Sequence, residues 1–172
     1  LDEGFHLRKE DYFRENGGII FPNPNTPTGI EESLEDIEEI LQRNPSSVVI
    51  IDEAYVEFGA RSAAELIDRY DNLLVGQTFS KSRSMAGVRI GFAMGQPELI
   101  GALKAVKYSF NSYTMSRLTI KAGTAALKNR AYFRETAEKI CQTREQAQKR
   151  LREFGFILED SRTNFLFVTH PV

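Results

Sequence analysis

The sequence has little of the chemistry that marks a secreted, metal-binding or membrane protein. Its 172 residues include one cysteine, Cys141, so no internal disulfide can form and a cytoplasmic location is expected. The two histidines, His6 and His170, stand near opposite ends, with no cysteine or histidine at ligand spacing, so no metal site is expected. An apolar run of about eighteen residues, as a membrane-spanning helix needs, is also missing.

Strong charge of either sign is missing as well. The chain has 22 basic and 24 acidic residues, for a formal net charge of -2, so neither nucleic acid nor a membrane surface is expected as a partner. Hydrophobic residues make up 41% of the chain, an ordinary share for a globular protein with one sizeable core. The first residue is leucine rather than methionine, and we expect the chain to be a piece of a longer protein.

Short apolar runs alternate with segments of helical periodicity. Strands are predicted at 19–21, 48–51, 73–75, 88–95, 156–158 and 165–168. Helices are predicted at 10–15, 34–43, 63–70, 97–107, 116–127 and 131–154, with a loop at 108–113. Strands that are apolar throughout and alternate with helices favour a parallel α/β sheet.

Polar residues follow three of the predicted strands, at the point where each strand ends. These clusters are Asn23/Asn25 in a proline-rich loop, Asp52/Tyr55, and Thr78/Ser80/Lys81. Because ligands of such sheets bind beyond the carboxyl ends of the strands, we expect the three clusters to converge on one site.

Lys81 is the residue on which the functional interpretation depends. An amine beside hydroxyls and guanidinium groups suits a cofactor that carries both an aldehyde and a phosphate. Taken alone, the tripeptide Ser-Lys-Ser is more often an ordinary surface loop, and we interpret Arg83 as a solvated or structural charge. Asp52 would be costly to bury at the end of an apolar strand unless it has a partner, and the alternative is that it caps the turn that follows.

Three motifs in this order resemble the fold-type I pyridoxal-phosphate aminotransferases. They are Asn23-Pro-Asn-Thr-Pro-Thr-Gly29, Asp52-Glu-Ala-Tyr-Val-Glu-Phe58 and Thr78-Phe-Ser-Lys-Ser-Arg-Ser-Met-Ala-Gly-Val-Arg-Ile-Gly-Phe92. Together with residues 109–113 and 163–167, the second motif is most similar to the histidinol-phosphate aminotransferase subfamily. The resemblance covers essentially the whole chain.

The resemblance implies a role for each residue around the cofactor's ring. Lys81 matches the catalytic lysine that bonds pyridoxal 5'-phosphate. Asp52 matches the carboxylate that pairs with the ring nitrogen, and Tyr55 matches the tyrosine that donates to the phenolic oxygen.

The resemblance also implies which residues contact the phosphate, and this sequence differs from the family pattern at one position. Thr78, Ser80 and Arg89 match positions around the phosphate. The family's loop usually reads Asn-Pro-Thr-Gly, and its asparagine contacts the phenolic oxygen. Thr26 stands at that position here, and the preceding Asn25 is the candidate to replace it.

The implied fold is a three-layer α/β/α large domain with a mostly parallel sheet. Residues 1–130 would form the second half of this domain, and residues 131–172 a linking helix and the start of a small α+β domain. The family also has an earlier phosphate-binding turn with a ring-stacking aromatic residue, and a later arginine for the substrate carboxylate. We find neither in this sequence, so we expect the chain alone not to transaminate.

The implied activity is amine exchange in histidine biosynthesis, carried out by a homodimer. Histidinol phosphate and 2-oxoglutarate would give imidazole-acetol phosphate and glutamate. An aromatic aminotransferase or a phosphothreonine decarboxylase would use the same cofactor residues. A non-catalytic, aminotransferase-like effector-binding domain, or an α/β domain whose lysine binds no cofactor, also stays open.

Overall fold

Four short strands form one sheet in the order β1-β2-β3-β4, in a computed structural model that describes residues 2 and 4–171. The strands are β1 (Ile19–Pro22), β2 (Val49–Asp52), β3 (Leu73–Thr78) and β4 (Gly91–Gly95). The first three run parallel, and β4 runs antiparallel to β3. The expected mixed α/β class with a mostly parallel sheet is therefore confirmed.

Helices and 3-10 turns make up most of the remaining regular structure. The α-helices are α1 (Leu34–Arg43), α2 (Pro97–Phe110), α3 (Arg117–Lys128) and α4 (Arg130–Glu153). The 3-10 turns are Lys9–Tyr12, Val56–Phe58, Ala63–Leu66 and Ala86–Val88. In the part of the chain that the structure describes, no helix is both long and apolar enough to cross a membrane.

The carboxyl ends of the three parallel strands lie side by side. Pro22 pairs with Asp52, and Asp52 pairs with Gly76. Backbone bonds continue the ladder, because the N–H of Asn23 donates to Asp52 O at 2.9 Å and that of Glu53 to Gly76 O at 2.8 Å. The polar segments therefore leave the sheet from one edge, as the sequence predicts.

One face of the sheet carries the hydrophobic core. Side chains alternate along a strand, so every second residue points toward α1. The core includes Ile19, Phe21, Val49, Ile51, Leu73 and Val75 from the strands and Leu34, Ile37, Ile40 and Leu41 from α1. Burial of each large apolar side chain stabilises the fold by about 1.5–3 kcal/mol. On the opposite face of β1, Ile20 is 69% exposed.

Helix α1 begins and ends as its sequence predicts. The Ser33 hydroxyl accepts the N–H of Asp36 at 3.1 Å and donates to the Asp36 carboxylate at 2.6 Å, which caps the first turn. Asn44 ends the helix, and its side-chain amide donates to Ile40 O at 2.8 Å and to Tyr12 O at 2.9 Å. These bonds use backbone groups that a helix end would otherwise leave without partners.

Several elements differ from the prediction, mostly in length. The predicted helix over 63–70 is only the turn Ala63–Leu66, and that over 10–15 is the turn Lys9–Tyr12. Helix α2 continues to Phe110, because no proline or glycine interrupts it between Ala102 and that residue. The predicted strands at 156–158 and 165–168 are wrong, since the described residues there form only the bridge Ile157–Thr169.

The last sixteen described residues fold back along α4. Gly155 ends this helix with a left-handed φ of 86°, which glycine adopts without steric cost, and the N–H of Phe156 bonds to Leu151 O at 3.0 Å. Arg144, buried in α4, donates to Phe58 O at 2.8 Å and to Thr163 O at 2.9 Å. This arginine therefore ties the turn after β2 to the returning C-terminal segment.

Candidate functional site

Lys81 lies in a closed turn that follows β3. The N–H of Phe79 donates to Ile90 O at 3.0 Å, the N–H of Met85 to Phe79 O at 3.1 Å, and the N–H of Ser84 to Lys81 O at 3.1 Å. The Lys81 side chain is exposed, and its Nζ lies 5.1 Å from the centroid of the Tyr55 ring. The structure therefore brings together two of the predicted site residues from different segments.

Tyr55 stands between the lysine and the C-terminal segment. Its ring packs edge-on against Phe165, with the centroids 5.1 Å apart, and it is half-buried. An edge-on pair of this kind favours one ring orientation. The sequence interpretation treated the segment around Phe165 only as a strand with a family resemblance, and its contact with Tyr55 was missed.

Asp52 is exposed, which corrects the expectation of a buried carboxylate at this strand end. Its Oδ1 accepts the N–H of Ala54 at 3.0 Å. The buried carboxylate is that of the next residue, Glu53, which is 1% exposed. The reason is the alternation of strand side chains: Ile51 and Glu53 point to the core, while Asp52 points to the open face.

The sequence interpretation missed Glu53. The alternation of side chains along a strand would have identified it, because Glu53 lies two residues after the buried Ile51. Its carboxylate accepts hydrogen bonds from the Ser62 hydroxyl at 2.7 Å, the Ala63 N–H at 2.6 Å and the Gln77 amide at 2.7 Å. Burial raises the pKa of this carboxyl, and the three hydrogen bonds oppose the rise. Glu53 therefore joins the end of β2 to the end of β3 just below the site.

The raised pKa of Glu53 predicts a pH dependence of stability. The folded state holds this proton at a higher pH than the unfolded chain, so stability falls as the pH rises above the ordinary glutamate range of about 4.3. Glu53→Gln is expected to flatten that fall, because glutamine does not ionise. Its oxygen can still accept the Ala63 N–H, and its NH2 group can donate to the Ser62 oxygen and, once the Gln77 amide turns over, to the Gln77 side-chain oxygen. Urea midpoints of the cofactor-free protein from about pH 5 to about pH 8 measure it.

The control for this prediction is the exposed residue Glu15. Glu15→Gln is expected to leave the slope of the urea midpoint against pH at its wild-type value. A Glu53→Gln variant with the same slope as the wild type would contradict the assignment of this titration to Glu53.

The hydroxyls of Thr78, at the end of β3, and of Ser80, just after it, lie next to each other. Thr78 Oγ1 lies 2.9 Å from Ser80 Oγ and accepts the N–H of Ser80 at 3.1 Å. Thr78 pairs with Gly91 in the β3–β4 ladder, and the N–H of Phe79 donates to Ile90 O, so Arg89 directly precedes the segment that faces the end of β3. Arg89 is exposed, with a left-handed φ of 54°, and its guanidinium donates to Ala86 O at 3.1 Å. Non-glycine residues in this conformation are enriched at ligand sites.

The proline-rich loop contributes differently. Asn23 is fully buried and bonds the backbone of Glu32 through both its amide nitrogen and its oxygen, at 3.3 and 2.8 Å, so it is structural. Asn25 is half-buried, and its amide donates to the Thr28 hydroxyl at 2.7 Å. Thr26 is exposed. The structure does not bring Asn25 into hydrogen-bond contact with the lysine turn, and its cofactor role stays a prediction.

Arg83 is a structural charge, which is one of the two roles, solvated or structural, that the sequence suggested. Its side chain is 14% exposed and forms an ion pair with Glu57 at 2.9 Å. The sequence interpretation missed Glu57, since nothing in residue spacing connects position 57 with position 83.

The donors and acceptors at this edge fit the cofactor that the resemblance implies. An exposed lysine amine lies over a tyrosine ring, and an exposed carboxylate stands at the neighbouring strand end. Two hydroxyls lie together at the end of β3, and the exposed Arg89 directly precedes the segment that pairs with this end; hydroxyl and guanidinium donors are what a phosphate needs. Among the described residues, no group of three or more His, Cys, Asp or Glu side chains could hold a metal ion.

The chain is similar to known aminotransferases over nearly its whole length. A family model described as aminotransferase class I and II matches residues 2–171. A histidinol-phosphate aminotransferase from Acinetobacter baylyi is 54% identical over 171 residues, which cover 99% of this chain and 47% of the relative. The chain spans about half the length of the curated relatives it matches.

Solved structures match over nearly the whole chain. A histidinol-phosphate aminotransferase from Clostridium acetobutylicum superposes with a TM-score of 0.90 at 25% identity, covering 100% of this chain and 54% of that one. Another, from Sinorhizobium meliloti and in complex with pyridoxal-5'-phosphate, has a TM-score of 0.79 at 29% identity and covers 91% of this chain and 43% of that one.

Proposed function

Because this chain belongs to the aminotransferase class I and II family, we propose that the whole protein transfers an amino group between histidinol phosphate and 2-oxoglutarate, with pyridoxal 5'-phosphate as its cofactor. The observation that carries the proposal is the position of Lys81 Nζ, 5.1 Å from the Tyr55 ring, at the strand edge that also presents Asp52. The names of relatives about half identical to this chain support the choice of substrates. The products are imidazole-acetol phosphate and glutamate.

Lys81 is the proposed catalytic residue. When bound, pyridoxal 5'-phosphate supplies an aldehyde for amine exchange and a ring that accepts electron density from the substrate carbon. The Lys81 amine holds that aldehyde in the resting protein and yields its place to the substrate amine. The freed amine would then move a proton between the substrate carbon and the carbon that carried the cofactor's aldehyde, as a positioned acid-base group.

Asp52 and Tyr55 are proposed to hold the ring. The Asp52 carboxylate is exposed at the end of β2, so it can pair with a protonated ring nitrogen. The Tyr55 hydroxyl would donate to the phenolic oxygen, and the edge-on contact with Phe165 favours one orientation of the tyrosine ring. Asn25 is a second proposed contact of the phenolic oxygen, once its amide turns from Thr28.

The phosphate contacts are assigned to Thr78, Ser80 and Arg89. The two hydroxyls bond each other and can each donate to a phosphate oxygen instead. The Arg89 guanidinium offers a fork of donors that matches two phosphate oxygens. Its single bond to Ala86 O leaves several of these donors available.

We also propose the organisation of the whole protein. Residues 1–130 belong to the cofactor-binding domain, and residues 131–172 form a linking helix and the start of a small C-terminal domain. The proposed protein is a cytoplasmic homodimer; a single cysteine supports the location, and the family resemblance supports the dimer.

The test is a spectrum followed by a substrate screen. The whole protein with pyridoxal 5'-phosphate is expected to show a visible absorbance band that borohydride converts into a stable adduct, located at Lys81 by peptide mass spectrometry. With 2-oxoglutarate as acceptor, histidinol phosphate is expected to react faster than phenylalanine or tyrosine. Absence of the band would refute the cofactor assignment. Exclusive use of aromatic donors, or release of carbon dioxide from phosphothreonine, would refute the substrate assignment.

A further inference from the structure

Glu57 joins the turn that carries Tyr55 to the turn that carries Lys81. One oxygen of its carboxylate accepts a hydrogen bond from the Arg83 guanidinium at 2.9 Å, and the Ser82 hydroxyl donates to the other. The two residues that directly follow Lys81 are thus bound to a side chain two positions after Tyr55. One carboxylate therefore sets the spacing between the two backbone segments.

Arg83 is packed from two further elements. Its guanidinium carbon lies 5.2 Å from the centroid of the Phe79 ring and 3.9 Å from that of Phe133. Its side chain is 14% exposed and that of Glu57 23%, so water screens this pair less than an exposed one. Because Phe133 belongs to the first turn of α4, the packing also includes that helix. We call Glu57, Arg83 and these two rings the Glu57–Arg83 clamp.

The Lys81 side chain is exposed, so packing does little to set its position. Its Nζ has the Tyr55 ring as an aromatic neighbour, and it stands at the end of a flexible four-carbon stem. The place of the amine therefore depends on where the backbone of residues 81–83 is held. The clamp joins that backbone to the turn that contains Tyr55, and the Lys81 amine lies over the ring of this tyrosine.

We propose that Glu57 and Arg83 are positioning residues for Lys81, whose ion pair holds the amine where it captures the cofactor and returns a proton to the substrate carbon. This inference rests on the proposed function. Neither residue reaches the reacting atoms in this scheme, since both act through the backbone next to Lys81. A misplacement of about 1 Å in a reacting group can lower the rate by about 10²-fold.

The first test removes the charge of Glu57 and keeps its size. In Glu57→Gln the side chain can still accept from Ser82, but the ion pair with Arg83 is lost. The cofactor-free whole protein is expected to capture pyridoxal 5'-phosphate about tenfold more slowly, measured by stopped-flow absorbance. Turnover is expected to fall about tenfold while KM for the amino donor changes by less than about twofold, because substrate contacts are unchanged.

The matched control is a neighbouring ion pair that does not touch the lysine turn. Arg61 and Glu65 pair at 2.7 Å, and both side chains are more than half exposed. Glu65→Gln is expected to leave the capture rate, turnover and KM at their wild-type values.

A second variant and a double variant test the pair itself. Arg83→Met keeps a long apolar stem between the two rings and removes the charge. If the two residues act together, the double variant captures the cofactor faster than two independent effects would allow. The fold-decrease in its capture rate is then smaller than the product of the fold-decreases in the two single variants. Hydrogen exchange in the cofactor-free protein is expected to accelerate at the amides of Ser84 and Met85, which close the lysine turn.

The outcomes distinguish a role of Glu57 and Arg83 in positioning Lys81 from a role in stability alone. Wild-type capture rate and turnover in Glu57→Gln would overturn the inference, even if hydrogen exchange accelerated. If both single variants fail to fold, the pair is a stability element and the inference is wrong. If the wild-type protein captures no cofactor, the proposed function is wrong. If the wild-type protein captures the cofactor and Glu57→Gln captures it at the same rate, only the positioning role of the Glu57–Arg83 clamp is wrong.

Discussion

Lys81→Ala is expected to lower the turnover of the whole protein by about 10⁴-fold, the upper end of what one positioned acid-base group contributes. The variant loses both the amine that bonds the aldehyde and the group that moves the proton. Stability is expected to change little, because the side chain is exposed and contacts the Tyr55 ring only at 5.1 Å. Single-turnover rates with histidinol phosphate, together with melting temperatures, measure the two effects.

A matched lysine separates the role of Lys81 from a general loss of charge. Lys107 also lies over a tyrosine ring, that of Tyr108, at 5.0 Å, and it is exposed in α2. Lys107→Ala is expected to retain the wild-type single-turnover rate. If Lys81→Ala retained more than about a tenth of wild-type turnover, Lys81 could not be the catalytic amine.

Asp52→Asn is expected to lower turnover by about 10²- to 10³-fold, as is typical when one electrostatic partner of a developing charge is removed. The asparagine oxygen can still accept the Ala54 N–H that Asp52 Oδ1 accepts at 3.0 Å, so the local turn should persist. The lost property is the negative charge that would keep the cofactor's ring nitrogen protonated. The visible band is expected to remain, since Lys81 is unchanged.

The control for Asp52→Asn is the exposed residue Asp71. Asp71→Asn removes the same charge just before β3, outside the proposed site, and is expected to keep wild-type turnover. Steady-state kinetics with histidinol phosphate and 2-oxoglutarate measure both variants. Equal turnover in the two variants would show that the charge of Asp52 has no role in the reaction.

The order of strands and helices could be read from periodicity because the strands β1 to β3 are short and apolar. The direction of β4 could not, because it depends on a turn closed by backbone bonds such as that from Met85 to Phe79 O. The C-terminal strands were overpredicted for a related reason. A β-branched or aromatic run shows that a strand is possible, but a ladder also needs a neighbouring strand.

For the site, residue type and strand position were enough to place Asp52, Tyr55 and Lys81 at one edge. The side of the sheet to which each side chain points was harder to predict. As a result, the buried carboxylate is that of Glu53 and not that of Asp52. The contact between Glu57 and Arg83 joins residues 26 positions apart. Such a pairing depends on how two turns pack after the sheet has formed, and no local pattern encodes it.

Side chains within the seven residues from Asp52 to Phe58 face different parts of the structure. Asp52 faces the open side of the sheet and Glu53 the core, while Tyr55 faces Lys81 and Glu57 faces Arg83. Phe58 is fully buried, and its carbonyl accepts a hydrogen bond from Arg144. Because each of these side chains has a different neighbour, no single second substitution could repair changes at two of them. The stretch therefore has little freedom for evolutionary drift, and we expect it to change, if at all, only together with several distant positions.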